Sequence, residues 1–341
     1  MTNPFTLDFH TLIEKADKIR QEKWGKKVYF VRNLHLNYTN ICVSHCKFCA
    51  FSKNKNEDGS YNMTKDDAVK YVAEKGQDAR EIHIVGGLHP DYPFEYYKDM
   101  VHALKTNFPE KVIKSFSAVE IDYFSKISGK SIARVLQELK SAGVEMLPGG
   151  GAEIFAEHVR KQICPEKIPA SRWLEIHETA HKTGLTTNAT MLYGHLENDD
   201  DKFAHLLALR DLQEKSLSAG LKGFSAFIPL SFQPDNTFLD GKFHATGIED
   251  IKTVASARIV LENIPHIKAY WVMLGHKTAQ IALRAGADDL DGTIVKENIA
   301  HAAGGNTDEA MTASELVFMV KSAGMVPVER DSFYKEVKVY G

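Results

Sequence analysis

Residues 37–51 read Asn-Tyr-Thr-Asn-Ile-Cys-Val-Ser-His-Cys-Lys-Phe-Cys-Ala-Phe, a stretch that spaces Cys42, Cys46 and Cys49 as C-x3-C-x2-C and uses three of the chain's four cysteines. Three thiolates on one loop suit iron–sulfur or zinc over hard cations, because soft sulfur ligands favour those metals. A 4Fe–4S cluster ordinarily takes four cysteines; three leave one iron open to a substrate or cofactor. A structural zinc ion wants a fourth Cys or His. His45 lies inside the loop, but chelation by adjacent residues 45 and 46 is strained, and no second C-x2-C half follows.

The loop sits at the end of a strand, 34–41, that opens a regular alternation. A helix at 6–24 precedes it, with Leu7, Leu12, Ile13, Ala16 and Ile19 at helical spacing. After it the sequence predicts helix 64–76, strand 81–85, helix 94–107, strand 112–119, helix 131–142, strand 144–147, an extra segment at 152–170, and helix 173–183. Strand 186–193, helix 202–218, strand 223–230, helix 249–262, strand 267–274, helix 277–285, strand 288–295 and helix 312–323 complete the series. Strands separated by helices imply parallel βαβ units. Eight such units predict an α/β fold of the (β/α)8 TIM-barrel type over 34–341, with residues 1–33 as a helical N-terminal extension. An open six-stranded barrel with a separate C-terminal domain is the alternative; the polar loop 235–247 is short for a linker.

Composition agrees with a globular fold of this kind. The chain has 341 residues, 43% hydrophobic and 26% charged, with a formal charge of −3. It shows no basic block or aromatic-basic stripe, so nucleic acid is not an expected partner. No run approaches 18 apolar residues and no signal peptide opens the chain, so a membrane span is not expected and the expected location is cytoplasmic. Clustered cysteines there point to metal in a reducing compartment. Cys164, alone in Lys-Gln-Ile-Cys-Pro, reads as a packed thiol at a helix end.

In a parallel barrel the chemistry belongs at the C-terminal ends of the strands, and the unusual residues fall there. Gly86-Gly87 ends one strand, where missing side chains let a backbone approach a ligand, or simply make a turn. His89 follows it. Glu120 is placed just after a strand, either as a paired acceptor for ribose hydroxyls or as a solvated loop acid. Gly149-Gly150-Gly151-Ala152-Glu153 opens a helix, where amides meet anions. In Thr186–Glu197, Asn188 and Thr190 share one face and point into the barrel, where polar groups need partners. His195 is either an acid/base group or structural. Asp288-Asp289-Leu290-Asp291-Gly292-Thr293 crowds three acids that must be solvated, hydrogen-bonded or matched by cations.

C-x3-C-x2-C with aromatic Phe48 before the last cysteine resembles the signature of radical S-adenosylmethionine (SAM) enzymes. That resemblance implies that Cys42, Cys46 and Cys49 hold a 4Fe–4S cluster and that SAM chelates the open iron. It also implies that Phe48, Gly86, Gly87, Glu120, Tyr193 and Glu197 surround SAM. Thr39–Cys42, Cys49–Phe51, Val85–Pro90, Leu147–Ile154 and Asn188–His195 together are similar to the futalosine-pathway branch of menaquinone biosynthesis, over about 35–330. Within it, Thr187–His195, Phe227–Leu230 and Ala287–Thr293 most resemble the aminofutalosine synthase family; the dehypoxanthine futalosine cyclases are the alternative. The family's reaction adds the 5′-deoxyadenosyl radical to 3-[(1-carboxyvinyl)oxy]benzoate, consuming SAM, and needs a reducing partner such as flavodoxin or ferredoxin. The implied catalytic pair is His195 and Asn188. Candidates for the two substrate carboxylates and the remaining contacts are His89, Gly150, Glu153, Arg160, Asp289, Asp291 and Thr293, with Arg284 read as an outer-helix charge. A non-enzymatic iron–sulfur carrier or zinc module is the rival class, and a large polar barrel argues against it.

Overall fold

The computed structural model describes residues 1–239, 245–305 and 307–341, so residues 240–244 of the 235–247 loop lie outside it. A 3-10 turn at Pro4–Thr6 and helix α1 (Phe9–Trp24) lead into two strands in line, β1 (Lys27–Val31) and β2 (Asn33–Leu36). Then follow α2 (Lys65–Lys75), β3 (Glu81–Ile84), α3 (Phe94–Asn107), β4 (Val112–Lys114), α4 (Ala118–Ser128) and α5 (Ile132–Ala142). Next come β5 (Val144–Leu147), α6 (Glu157–Ile163), α7 (Ala170–Lys182), β6 (Thr186–Tyr193), α8 (Asp199–Ser218) and β7 (Phe224–Ser231). The chain ends with α9 (Gly247–Val260), β8 (His266–Ile267), α10 (Trp271–Ala282), β9 (Asp289–Gly292), α11 (Ile299–Ala302), α12 (Ala313–Ser322), β10 (Val326–Arg330) and β11 (Glu336–Val339).

Local chemistry sets these boundaries. In α2, Thr64 and Asp67 satisfy each other's backbone amides in a capping box. In α5, Ser131 caps the start, Ile132, Val135, Leu136 and Leu139 form the buried stripe, and Gly143 ends the helix at φ +125°. Each fully buried Leu, Ile or Val of such a stripe contributes roughly 1.5–3 kcal/mol.

Strands β2 to β8 lie side by side in sequence order and all pair in parallel. The ring then closes. Lys268, just past β8, bridges to Asp289, the Ala269 amide donates to the Asp289 carbonyl at 2.7 Å, and the Asp288 amide donates to Ile267 at 3.0 Å. Strand β9 pairs with β1, which continues through Arg32 into β2. With β1 and β2 counted as one bent strand, the described residues form an eight-stranded parallel barrel, and the open alternative is set aside. The strand β1 belongs to the first 33 residues, so that segment contributes to the ring as well as a helix.

Several stretches depart from the sequence reading, beginning with strand 34–41, which ends at Leu36, and strand 288–295, which covers only Asp289–Gly292. Strand 112–119 stops at Lys114, and Ser117 with Glu120 forms the capping box of α4; that local cap outweighs the β-branched run. Strand 267–274 shrinks to two residues, and Trp271 begins a helix that passes Gly275 (φ +74°, ψ 154°) and takes in most of the predicted 277–285 helix. Beyond α12, β10 adds outside β1 and β11 returns antiparallel to it, neither of them read from the sequence.

The acids at 288–291 are matched inside the protein. Asp288 meets Arg258 and, at 2.5 Å, His266 Nδ1. Asp289 accepts from Arg330 Nε at 2.6 Å, and Asp291 pairs with Lys268. Thr293 Oγ1 accepts from the Asn33 amide and donates to its carbonyl, both at 3.2 Å. Asp289 and Thr293 therefore hold the seam of the barrel.

Candidate active site

At the C-terminal mouth of the barrel a cavity of about 290 Å³ opens, and Cys42, Cys46 and Cys49 all line it. The cysteine loop is tied down along its backbone. The Cys42 amide donates to Lys53, Val43 to Leu88, Lys47 to Ile163 and Cys49 to Cys46, at 2.8–3.1 Å. His45 is exposed, its amide held by Glu166 at 2.9 Å. Cys42, Cys46 and Cys49 are the cysteines of the cavity wall among the described residues; three thiolates suit a cluster in which each binds its own iron, whereas a structural zinc ion takes four protein ligands. Burial pushes the Cys42 thiol up and the Cys46 thiol to about 12, so loading with metal must release protons. Cys164 is buried at the end of α6 and does not line the cavity.

The two glycines after β3 serve the loop directly. A Cβ on Gly87 would lie 2.2 Å from the Ile41 carbonyl oxygen and 3.1 Å from Cys42 Cβ, and one on Gly86 would lie 2.7 Å from the Tyr38 ring. Their lack of side chains lets the β3 end pack against the cysteine segment. Gly87→Ala is therefore expected to cost about 1–3 kcal/mol by overpacking and to lower the iron bound after reconstitution; denaturant midpoint and iron per chain check it.

Glu120 belongs to the first turn of α4, not to a strand end, and lines the cavity with its carboxylate fully engaged. Oε1 accepts from the Tyr38 hydroxyl at 2.7 Å and the Gly86 amide at 3.2 Å. Oε2 accepts from the Ser117 amide at 2.7 Å and hydroxyl at 2.6 Å. Four donors fill the four acceptor positions of a carboxylate, so this side chain braces the glycine turn against α4. Burial raises its pKa from 4.5 to about 7, against the pull of those hydrogen bonds. A raised carboxyl pKa favours the folded state fully below the unfolded value and loses that contribution as pH rises through the folded one. Between pH 4.5 and about 7, the wild type should lose stability relative to Glu120→Gln as pH rises, measured by chemical denaturation across that window.

Beneath the cysteines lies a pair the sequence did not reveal. Lys167 Nζ donates to Glu153 Oε1 at 2.5 Å and sits 4.9 Å from the Phe48 ring centroid. Burial works against its charge, but the neighbouring Cys46 and Glu153 outweigh that and hold its proton. Lys167, Glu153, Phe48 and Gly150 all line the cavity, and Lys167 is the only Lys, Arg or His among the described residues that do. Nothing in Pro-Glu-Lys marks that lysine; only the fold of the 152–170 segment brings it under the loop.

Several predicted residues sit elsewhere. Arg160 turns away, donating to the carbonyls of Ala152, Ile154 and Ile168 at 2.5–3.1 Å, and so shapes the loop that carries Glu153. Tyr193 points outward, its hydroxyl donating to Asp250 at 2.8 Å. His195 and Glu197 face each other at 2.9 Å in a buried turn behind Phe232. Desolvation opposes ionisation of Glu197, yet His195 and two backbone amides bring it to about 2. His89 stacks on Tyr92 at 3.9 Å and accepts from the Asp91 amide, beside the cavity but not in its wall. Arg284 caps the Ala323 carbonyl on the outside. Asn188 faces the barrel lumen, where its Nδ2 donates to Ser225 at 2.9 Å and its Oδ1 has no partner.

Comparison with known proteins fits this geometry. The radical SAM superfamily matches residues 36–209, and the CofH/MqnC C-terminal region matches 221–340. Aminodeoxyfutalosine synthase of Thermus thermophilus is 45% identical over 98% of this chain and 90% of its own length; that of Streptomyces coelicolor is 42% identical over 95% and 86%. The 5-amino-6-(D-ribitylamino)uracil–L-tyrosine 4-hydroxyphenyl transferase of Methanopyrus kandleri is 38% identical over 98% and 92%. Among solved structures, methylornithine synthase (PylB) superposes with a TM-score of 0.73 at 16% identity, covering 95% of this chain and 91% of that one, which supports the fold. Described residues contain no helix long and apolar enough to cross a membrane. A cysteine-lined cavity at the mouth of a parallel barrel and these end-to-end matches lead to one assignment: the chain belongs to the radical SAM superfamily of enzymes, in the branch marked by the CofH/MqnC C-terminal region and the aminodeoxyfutalosine synthases.

Proposed function

We propose that the chain is itself an aminodeoxyfutalosine synthase. It joins the 5′-deoxyadenosyl group of SAM to the vinyl carbon of 3-[(1-carboxyvinyl)oxy]benzoate, giving 6-amino-6-deoxyfutalosine, methionine and bicarbonate. The observation that carries this reading is the placing of three thiols and one ammonium on a single small cavity, in a chain nearly half identical from end to end to synthases of that name.

Membership of the superfamily implies a 4Fe–4S cluster and SAM. Cys42, Cys46 and Cys49 are the residues that would hold the cluster, leaving the fourth iron to SAM. When reduced, such a cluster supplies the electron that cleaves SAM to methionine and a 5′-deoxyadenosyl radical. The reductant is expected to be a small one-electron carrier of the flavodoxin or ferredoxin class.

The chain's own groups then position and protect. Lys167 is placed to take the carboxylate of the methionine moiety, with Glu153 holding its ammonium in line. Val85, Val119, Leu192, Leu230, Phe232 and Met273 contribute an apolar patch to the wall, which helps to exclude water from a reactive carbon. Holding the vinyl group beside the nascent radical can supply about 7–11 kcal/mol of an otherwise bimolecular barrier.

Anaerobic reconstitution followed by reductant, SAM and the enolpyruvyl benzoate tests the reading. A product with the mass of the adenosylated, decarboxylated adduct is expected. Free 5′-deoxyadenosine as the sole nucleoside, with the aromatic compound unchanged, would count against it.

A further inference from the structure

The lumen below the cavity is built unlike an ordinary barrel interior. Such cores are normally filled by layers of branched apolar side chains. Here the cross-strand row beneath the mouth is His35 on β2, His83 on β3 and Lys114 on β4, successive register partners facing the same way. The His35 and His83 rings meet edge to face at 4.7 Å. Lys114 Nζ pairs with Glu81 at 3.2 Å, and Lys268 pairs with Asp291 from the other side of the lumen.

Strand periodicity connects this row to the active cavity. Val85, Leu192 and Leu230 line the cavity, and side chains two residues earlier on a strand lie on the same face, about 7 Å deeper. Those are His83, Thr190 and Ile228; two further down β6 is Asn188. His83 and Ile228 are partly exposed although they lie inside the barrel, so the space above them is open. Two buried polar atoms there have no partner: Nε2 of His35, a residue 8% exposed, and Oδ1 of Asn188, 1% exposed. Unsatisfied groups of this kind are costly unless a ligand or water completes them.

We propose that this lumen is an arylcarboxylate site, in which the benzoate end of the acceptor lies against the His35–His83–Lys114 row with Asn188 opposite, while its vinyl end reaches up to the cavity. The aromatic ring and the identity of the acceptor rest on the function proposed above; the recognition of a carboxylate by this row does not. Glu81 and Asp291 already neutralise the two lysines, and the other charges facing the row are matched too, Glu297 by His301 and Arg330 by Asp289, so an entering carboxylate brings one negative charge in excess. The histidines are the groups able to match it. Burial keeps both neutral in the free protein, so each is free to accept a proton as the anion enters.

The test uses 3-hydroxybenzoate and 3-hydroxybenzamide as probes of the full-length protein by calorimetry. The acid is expected to bind about tenfold or more tightly than the amide, as hydrogen bonds to a charged group imply, and to take up a proton seen as a buffer-dependent heat. His83→Gln should bring the acid-to-amide ratio close to one. Because the ratio is internal to each variant, partial misfolding does not alter it, and His35→Gln gives an independent repeat. Equal affinities in the wild type, an unchanged ratio in both variants, or no binding of the acid would overturn the proposal. A wild type that prefers the acid yet makes no adenosylated product would instead sink the synthase reading and leave the site standing; turnover without the preference would do the reverse.

Discussion

Cys46→Ala is expected to abolish product formation while leaving a folded barrel. Cys46 is the most buried of the three thiols in the cavity wall, at 5% exposure, and one of three donors on a loop tied down by backbone hydrogen bonds. Removing its sulfur costs roughly 1–2 kcal/mol of buried apolar contact, a small share of the stability of a chain this size. The effect on the metal is out of proportion to that. With two thiolates left, the described residues offer no further cavity-lining cysteine, and a cluster missing a second protein ligand has no selectively open iron. Iron per chain after reconstitution should fall, and reductant should no longer cleave SAM. Cys164→Ala is the control: that thiol is buried behind the loop, outside the cavity wall, and its loss should leave iron content and SAM cleavage near wild-type values. Wild-type activity in the Cys46 variant, or loss of the cluster in the Cys164 variant, would mean that the donor set is misassigned.

Lys167→Met carries two consequences that separate cleanly. The pair with Glu153 is almost fully buried, with side-chain exposures of 14% and 9%. Deleting one partner of a buried pair strands the other charge, which costs about 3–5 kcal/mol. The same substitution removes the one cationic side chain of the cavity wall among the described residues. SAM should then bind about ten- to a hundredfold more weakly, the range expected for a lost hydrogen bond between charged groups. In the double variant Lys167→Met, Glu153→Gln no charge is stranded, so most of the stability should return while the weak SAM binding persists. Recovery of both together would make Lys167 a structural residue only.

The periodic parts of this fold were legible because local chemistry and tertiary context agree there. Thr64 and Ser131 start their helices, Gly143 ends one, and strands 81–84, 144–147 and 186–193 fall within a residue of the reading. The failures share a cause. Val112–Val119 and Ile267–Leu274 are β-branched or apolar runs, but a Ser-x-x-Glu cap and a helix seated over the barrel end claim their second halves. At the site, the cysteines announced themselves through spacing alone. Lys167 did not, since its position depends on a fold of the 152–170 segment that no periodicity encodes. His195, Glu197 and Arg160 looked functional because polar residues near strand ends usually are; here they bond their own backbone or one another and shape the loops around the cavity. Asp289 and Asp291 invited a ligand reading because Arg330 and Lys268, each distant in sequence from its partner, could not be seen to match them.

The claim on which the account depends is that three protein sulfurs leave one iron for SAM. Electron paramagnetic resonance of the reduced, reconstituted protein, recorded with and without SAM carrying a nitrogen-15 amino group, measures this directly. The account predicts a spectrum that changes on addition of SAM and a hyperfine coupling from the labelled nitrogen. A spectrum indifferent to SAM, with coupling only to protein nuclei, would contradict it.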